Sequence, residues 1–179
     1  YDEIAYPRNS YDECVDYISN ELVKAAMLLE EARGPQDIVR PTRGAALSLR
    51  SRVLLYAASP LFNGKAPAEV IAALVDKSGK KLLSDTYDER KWAIAAAAAK
   101  DVIELGKYQL YVAYKSEGGS SLSDPATITP PDDEGTFHSN PWPKGWQNID
   151  PFKSYRALFD GEVSAYGNSE IIFTRGTNQ

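Results

Sequence analysis

Cysteine and histidine, the residues most often found in redox, metal and acid–base sites, are almost absent from this sequence. Each occurs once in the 179 residues. A single cysteine forms no disulfide within the chain, and Cys14 falls on an apolar helical stripe, which predicts a small buried thiol. Only His138 could act as a base near neutral pH, and the run Asp132, Asp133, Glu134 lacks the alternating spacing of a calcium loop. We therefore predict no catalytic residue, no metal ligand and no cofactor, and a protein that is not an enzyme.

Long apolar runs and an excess of positive charge are also missing. No stretch reaches the roughly 18 uncharged apolar residues that a membrane-spanning helix needs. Acidic residues number 25 against 20 basic ones, a net charge of −5, and the basic residues do not alternate with aromatic ones as in a nucleic-acid groove. The sequence thus predicts neither a membrane span nor a nucleic-acid partner. Because it opens on Tyr1 and its sole methionine is Met27, we expect a piece of a longer protein, with any signal or lipid anchor outside it.

Three segments have the apolar period of α-helices. They span residues about 10–32, 42–59 and 88–106. A serine or threonine with a glutamate three residues on, a proline that cannot continue a helix, and a glycine after the last turn are the usual boundary signals. The predicted caps are Ser10, Thr42 and Asp88, and the residues that end the last two helices are Pro60 and Gly106.

The apolar faces of these helices predict how they pack. The second helix has two apolar flanks, so we expect it to lie inside a helical stack, with small residues near its start allowing close approach. The residues expected to be buried are Cys14, Ile18, Leu22, Ala25 and Leu29 in the first helix, with Val15, Ala26 and Leu28 widening that stripe, Ala45, Ala46, Leu47, Leu49, Val53, Leu54, Leu55, Tyr56 and Ala57 in the second, and Trp92, Ala95, Ala96, Ala99, Val102 and Ile103 in the third.

Two long connections separate the predicted elements. Residues 61–87 are interpreted as an insertion, and residues 116–150 as a long proline- and glycine-rich loop, of a length that is usually functional in compact domains. After the loop, the pattern indicates a short helix around Tyr155 and a strand-like segment at 170–174. We assign residues 1–179 to a single helical-repeat domain.

Aromatic and amide side chains are concentrated in the long loop. Flat rings match the apolar C–H faces of pyranose sugars, and neighbouring amides and carboxylates can pair with hydroxyl groups. The same rings could instead fix the loop onto the helices. The candidate ligand-binding residues are Trp142 and Trp146 as stacking platforms, with Asn140, Gln147 and Asp150 as hydrogen-bonding partners.

Four segments, in this order, carry a family resemblance: "PRNSYDECVDYISNELVKAAMLL", "PTRGAALSLRSRVLLYAASPLFNGK", "YDERKWAIAAAAAKDVIELGKYQLY" and "NSEIIFTR". Together they resemble the SusD/RagB family of bacterial nutrient-binding proteins. The resemblance covers most of the helical part of residues 7–110 and the tail at 168–175, and leaves the loop at 116–150 unmatched. It implies a mainly α fold of tetratricopeptide-like helix pairs, of the α-solenoid type, with long irregular loops, and a fragment of a larger SusD-like fold.

The resemblance also implies a function. It implies non-catalytic binding of an oligosaccharide or other nutrient on the extracellular face of the outer membrane, and delivery to a TonB-dependent, SusC-like transporter. Membrane association would be through a lipid anchor outside this sequence, since Cys14 lies inside a predicted helix. The alternative from another class is a helical-repeat module that binds a protein and has no ligand site of its own.

Overall fold

The computed structural model describes residues 6–114 and 149–174. Its α-helices are α1 (Tyr11–Leu28), α2 (Arg43–Ala58), α3 (Ala68–Ala73), α4 (Arg90–Glu104) and α5 (Pro151–Arg156), with a 3-10 turn at Pro35–Asp37. The predicted mainly α fold of packed helix pairs is confirmed. No helix within the described residues is long and apolar enough to cross a membrane.

The chain divides into two compact units. The first unit comprises Tyr1–Tyr108 with Ile171–Gln179, and the second comprises Gln109–Glu170. Helices α1 to α4 belong to the first unit and α5 to the second. The assignment of all 179 residues to one helical-repeat domain stays a prediction.

Helix α1 begins with the predicted capping box. Ser10 Oγ accepts a hydrogen bond from the Glu13 backbone N at 3.3 Å, and Glu13 Oε2 accepts one from Ser10 N at 2.7 Å. The helix ends at Leu28, earlier than expected. Arg43 satisfies a carbonyl of its last turn, because Arg43 Nε donates to Ala26 O at 3.0 Å.

The buried face of α1 agrees with the predicted one only in part. Val15 and Ala26, predicted at the edges of the apolar stripe, are buried together with Ser19, whereas Cys14, Ile18 and Leu28 are exposed. The predictions of a buried Cys14 thiol and of a core stripe through Ile18 are therefore wrong. Apolar residues spread round much of α1, and packing against α2 selects a face one position further along the chain.

Helix α2 packs between α1 and α4, as its two apolar flanks predicted. Thr42 Oγ1 caps it by accepting a hydrogen bond from Ala45 N at 3.3 Å, and Ala58 is its last residue. Gly44 lies under the Tyr108 ring, where a Cβ would lie 2.0 Å from Tyr108 Oη. The small residue at this position therefore permits close approach of the Tyr108 side chain, which follows α4, whereas the sequence predicted that a neighbouring helix would approach here.

The core between these helices is made largely of alanine. Alanine has no side chain beyond Cβ, so helix axes can approach closely and each contact buries little area. Five larger residues predicted to be buried are exposed, and those predictions are wrong: Leu49, Leu55, Tyr56, Trp92 and Ile103. They lie on flanks against which no other helix of the described ranges packs. The buried core cluster is Val15, Leu54, Ala57, Ala58, Ala95 and Ala98.

Helix α4 begins at Arg90, two positions after the predicted cap. Asp88 nevertheless stabilises this end, because its Oδ1 accepts a hydrogen bond from Arg90 N at 3.0 Å. At the other end, Gly106 has φ +61°, and its N donates to Ile103 O at 3.0 Å. Gly106 therefore ends the helix in a left-handed conformation, as a glycine after the last turn commonly does.

A buried asparagine joins the two ends of the connection between α2 and α4. Asn63 is 0% exposed. Its Nδ2 donates to Asp88 O at 2.8 Å and to Ala58 O at 3.4 Å, and its Oδ1 accepts from Asp88 N at 2.9 Å. Gly64 follows with φ +71° and lies against the backbone of Thr86. We call these contacts of Asn63 and Gly64 the Asn63 clasp.

The connection also docks on the start of α1. Tyr11 N donates to Leu82 O at 2.8 Å, and the Tyr11 ring stacks on Phe62 with centroids 4.6 Å apart and planes 12° apart. Lys80 Nζ bonds both carboxylate oxygens of Glu13, at 2.9 and 2.7 Å. These contacts tie the predicted insertion to the helical frame.

The docking predicts a pH dependence. The Lys80 hydrogen bond, followed by those of the Ser10 amide and hydroxyl, lowers the pKa of Glu13 from 4.5 to about 2. A carboxylate with a lowered folded-state pKa stabilises the fold above its ordinary pKa, and this stabilisation is lost as pH falls through the folded value. We therefore expect the docking to weaken between pH 4.5 and about 2.

An NMR titration of the Glu13 side-chain carboxyl measures this shift. Replacing Lys80 by methionine should move the midpoint up towards the ordinary value, because the largest cause of the shift is removed. A midpoint in the unmodified protein that stays at the ordinary value would contradict the predicted docking.

In the second unit, a short pairing anchors α5. Tyr114 and Ile149 form an antiparallel β-bridge. Asp150 N donates to Ala113 O at 2.9 Å, and Ser154 Oγ accepts from Ala113 N at 2.9 Å. The first turn of α5 is therefore fixed to the chain that ends at Tyr114.

Residues 170–174 form a turn and irregular chain, so the predicted strand-like segment is wrong. One local and one long-range hydrogen bond involving side chains take the place of a β-ladder at its start. Glu170 N donates to Asn168 Oδ1 at 3.0 Å, and Glu170 Oε2 accepts from Tyr111 N at 3.1 Å.

Candidate functional site

The predicted ligand residues fall at and before the start of α5. Asp150 is described, as part of the second unit. The other four lie between residues 115 and 148, outside the described residues, and stay predictions: Asn140, Trp142, Trp146 and Gln147.

Asp150 is the N-cap of α5. Its Oδ1 accepts a hydrogen bond from Lys153 N at 2.8 Å, and Pro151 occupies the first turn, where a missing N–H is tolerated. This capping role accounts for an aspartate at this position without a ligand. Binding of a ligand hydroxyl by Asp150 stays a prediction.

Three aromatic rings project from one side of α5 and the turn that follows it. Phe152, Tyr155 and Phe159 are 61%, 69% and 72% exposed. The opposite side is turned inward, since Ala157 is buried and Ser154 half-buried. The rings of Tyr155 and Phe159 are in contact, with centroids 5.2 Å apart and planes inclined by 58°. We call Phe152, Tyr155 and Phe159 the α5 aromatic face.

Charged groups lie beside the α5 aromatic face. Arg156 Nε donates to Asp160 Oδ2 at 2.7 Å, and Arg156 Nη2 donates to Glu162 Oε1 at 2.8 Å. The hydrogen bond from Glu162 N, followed by the bond from Arg156, lowers the pKa of Asp160. These groups bond to one another, and no three His, Cys, Asp or Glu side chains within residues 6–114 and 149–174 are grouped to hold a metal ion.

This arrangement has the chemistry of a stacking surface. Adjacent exposed aromatic rings form an apolar patch whose contact with water is unfavourable. Such patches are typical of surfaces that bind a ligand or another protein. A ring offers a flat apolar face to a ligand, while the adjacent guanidinium and carboxylates can exchange hydrogen bonds with hydroxyl groups. A flat ligand with apolar faces and polar edges fits both features.

The sequence pattern predicted a helix around Tyr155 but missed its exposed face. Tyr155, Leu158 and Phe159 fit the spacing of a helix, and that spacing alone does not say which side is buried. The sequence did contain a signal for the exposed side. Aromatic residues occupy positions 152, 155 and 159 on one side of the helix, and small residues occupy Ser154 and Ala157 on the opposite side. In a short helix, the side with the small residues is the one that can pack closely.

A second concave feature lies in the first unit. It is a groove of about 290 Å³ between α1 and α4, with α2 as its floor. Leu54 and Ala57 form the floor, while Val15 and Asp16 line one wall and Ile94 lines the other. We call it the α1/α4 groove.

Comparison with known proteins supports the helical fold. The solved structure named selenomethionine BT4246 is 36% identical to this chain with a TM-score of 0.53, and the one named BT4246 is 35% identical with a TM-score of 0.54. Each match covers 61% of this chain and 19% of the solved chain, so the chain spans about a fifth of their length. No family model matches the chain, and no curated protein is similar to it. The similarity thus concerns the fold, since neither name states an activity.

Proposed function

We propose that this chain is part of a non-catalytic protein that binds an oligosaccharide or a related nutrient at the cell surface. The protein would deliver its ligand to a TonB-dependent transporter in the outer membrane, to which a lipid anchor outside this sequence would attach it. Two things support the proposal: the order of four sequence segments that resemble the SusD/RagB family, and the exposed rings of α5, which follow the predicted ligand residues in the sequence.

The α5 aromatic face is the observation that carries the proposal. Sugar rings have apolar faces and hydroxyl edges, and this face offers rings next to Arg156 and Asp160. Asp150 lies at the start of the same helix. Trp142 and Trp146 precede that helix in sequence, and we propose that they add stacking surface to the same ligand site.

Replacing Tyr155 and Phe159 together by alanine tests the site. Each aromatic contact contributes about 0.5–1.5 kcal/mol, so the double variant should bind a soluble oligosaccharide about tenfold more weakly. The measurement is titration calorimetry with the best ligand from a panel of plant, fungal and mucin oligosaccharides. Trp142→Ala with Trp146→Ala should give a loss of the same order.

Tyr17→Ala is the matched control, because Tyr17 is 68% exposed and lies on α1 in the first unit. Its affinity should equal that of the unmodified protein. Unchanged affinity in both double variants, with helix content retained, would overturn this site. Release of new reducing ends from the oligosaccharide would overturn the non-catalytic part of the proposal.

A second candidate function is a helical-repeat module that binds a protein. The α1/α4 groove favours it, because a groove between two helices over a third is a common place for a peptide segment. The two functions are compatible, since delivery to a transporter needs protein contact. Co-purification of a transporter without any glycan affinity would favour this second function alone.

A further inference from the structure

The α1/α4 groove is a defined site that the α5 aromatic face does not involve. All of its lining residues belong to the first unit. Arg50 of α2 crosses it on one side, where its Nε donates to Ser19 Oγ at 3.1 Å and its Nη1 bonds Asp101 Oδ2 at 3.1 Å. Lys91 of α4 crosses it on the other side and bonds Asp12 Oδ1 at 2.7 Å. These two links hold the walls of the groove at a fixed separation.

The floor of the groove is aliphatic, and its charged lining residues are mainly acidic. Leu54, Ala57, Val15 and Ile94 provide aliphatic surface, and none of the lining residues is aromatic; its charged residues are Asp12, Asp16, Asp88 and Lys91. Three carboxylates therefore face one ammonium group. An aliphatic floor with carboxylates above it suits a flexible chain that ends in a positive charge, and suits a sugar ring less well.

One of these carboxylates is left without a cation. Asp12 is paired with Lys91, and Asp88 with Arg90 at 2.9 Å. Among the described residues, no side chain forms an ion pair or hydrogen bond with Asp16. Asp16 lies one helical turn from Asp12, on the same wall of the groove.

The lysine side chain of Lys91 already lies in the groove. Its side chain is only 20% exposed, and its ammonium bonds a carboxylate on the opposite wall. Because Asp12 neutralises that ammonium, a second ammonium at Asp16 would meet little repulsion. The volume of about 290 Å³ is at the small end for a ligand pocket, so it suits a single side chain.

We propose that the α1/α4 groove binds a lysine side chain of a partner protein, with its alkyl stem on Leu54 and Ile94 and its ammonium on Asp16. The proposal commits to lysine, because its unbranched alkyl stem and compact ammonium suit a groove of about 290 Å³ with an aliphatic floor. This inference rests on the second candidate function and gives that function its partner chemistry. It does not depend on glycan binding.

The probe is the peptide acetyl-Leu-Lys-Leu-amide, titrated into the intact chain and followed by amide NMR shifts. The same peptide with norleucine in place of lysine keeps the stem and removes the charge. We expect shifts at Asp16, Leu54 and Ile94, and binding by the norleucine peptide about fivefold weaker. Affinity should also fall as ionic strength rises, since screening shortens the reach of an exposed charge.

Two variants distinguish binding in the groove from binding elsewhere on the protein surface. Asp16→Asn should weaken the lysine peptide about fivefold and leave the norleucine peptide unchanged, and Ile94→Ser should weaken both peptides. Glu21→Gln is the control on the same helix, because Glu21 is exposed and does not line the groove. Equal binding of the lysine peptide to Asp16→Asn and to the unmodified chain, or no shift at the groove residues, would overturn the proposal.

If the lysine peptide fails to bind while the oligosaccharide panel binds, this inference falls and the glycan proposal stands. If the peptide binds and no oligosaccharide does, this inference stands and the glycan proposal falls. The α5 and groove variants lie in different units, so each set serves as a control for the other experiment.

Discussion

Replacing Gly64 by alanine should lower the free energy of unfolding by about 2–5 kcal/mol, because two penalties add. Gly64 has φ +71°, a left-handed conformation that side chains with a Cβ adopt at a cost. A Cβ at this position would also lie 2.2 Å from Thr86 C and 2.3 Å from Tyr87 N. Backbone atoms cannot rotate away as a flexible side chain can, so the chain around Thr86 must shift. Urea unfolding followed by circular dichroism measures the loss.

Gly79→Ala separates the two penalties. Gly79 has φ +83°, but nothing lies within 4 Å of the Cβ it would carry. This variant should therefore show only the conformational penalty, about 1–2 kcal/mol. Equal losses for Gly64→Ala and Gly79→Ala would show that the close approach of Gly64 to the 86–87 backbone is absent from the folded protein.

Replacing Asn63 by alanine should lower the free energy of unfolding by about 2–4 kcal/mol. The change leaves Asp88 N–H and Asp88 C=O without the partner that both now share. Each unpaired buried backbone group costs about 1–3 kcal/mol, and the lost side-chain volume adds a small cavity. Thermal and urea unfolding should agree on the sign.

Two further asparagine changes test the reason for this loss. Asn63→Asp keeps an acceptor for Asp88 N but loses the donor to Asp88 O, so it should be at least as destabilising as alanine. Asn20→Ala is the control, because Asn20 is exposed on α1, and it should change stability by less than about 0.5 kcal/mol. A loss for Asn63→Ala as small as that for Asn20→Ala would contradict the Asn63 clasp.

The positions of the long helices could be predicted from sequence, but their buried faces only in part. Periodicity and capping located α1, α2 and α4 to within a few residues. The alanine-rich core gives little contrast between faces, so larger residues such as Ile18, Leu49 and Trp92 were assigned to the interior. Which flank of an apolar helix receives a neighbour depends on tertiary contacts that no local pattern contains.

The Asn63 clasp could not be read from composition. Asparagine followed by glycine after a helix normally indicates an exposed turn, and the turn is indeed present. The buried part is the side chain of Asn63, whose partner Asp88 lies at the far end of the connection. A residue that pairs with a distant backbone leaves no trace in local spacing.

In the candidate site, too, some features follow from neighbouring residues in the sequence and others depend on residues far along the chain. The residues Asp150 and Pro151 already carried the signal of a helix start, and their capping role was missed because the aspartate was assigned to a ligand. The exposed side of α5 was missed, because the side that packs inward is fixed by the bond of Ser154 to the distant Ala113. Residues 115–148, which include Trp142 and Trp146, lie outside the described residues, and their assignment stays a prediction.

Asn63 allows part of the segment between α2 and α4 to vary in length. One side chain bonds both ends of that segment. The relative position of α2 and α4 is therefore fixed by Asn63 itself and depends little on the length of residues 65–86. Doubling the length of a flexible closed loop costs only about 0.6 kcal/mol of chain entropy. Variants of this protein could therefore lengthen or shorten the rest of the segment and keep the helical frame intact, provided that Asn63, Gly64 and Asp88 and the docking residues Lys80 and Leu82 are retained.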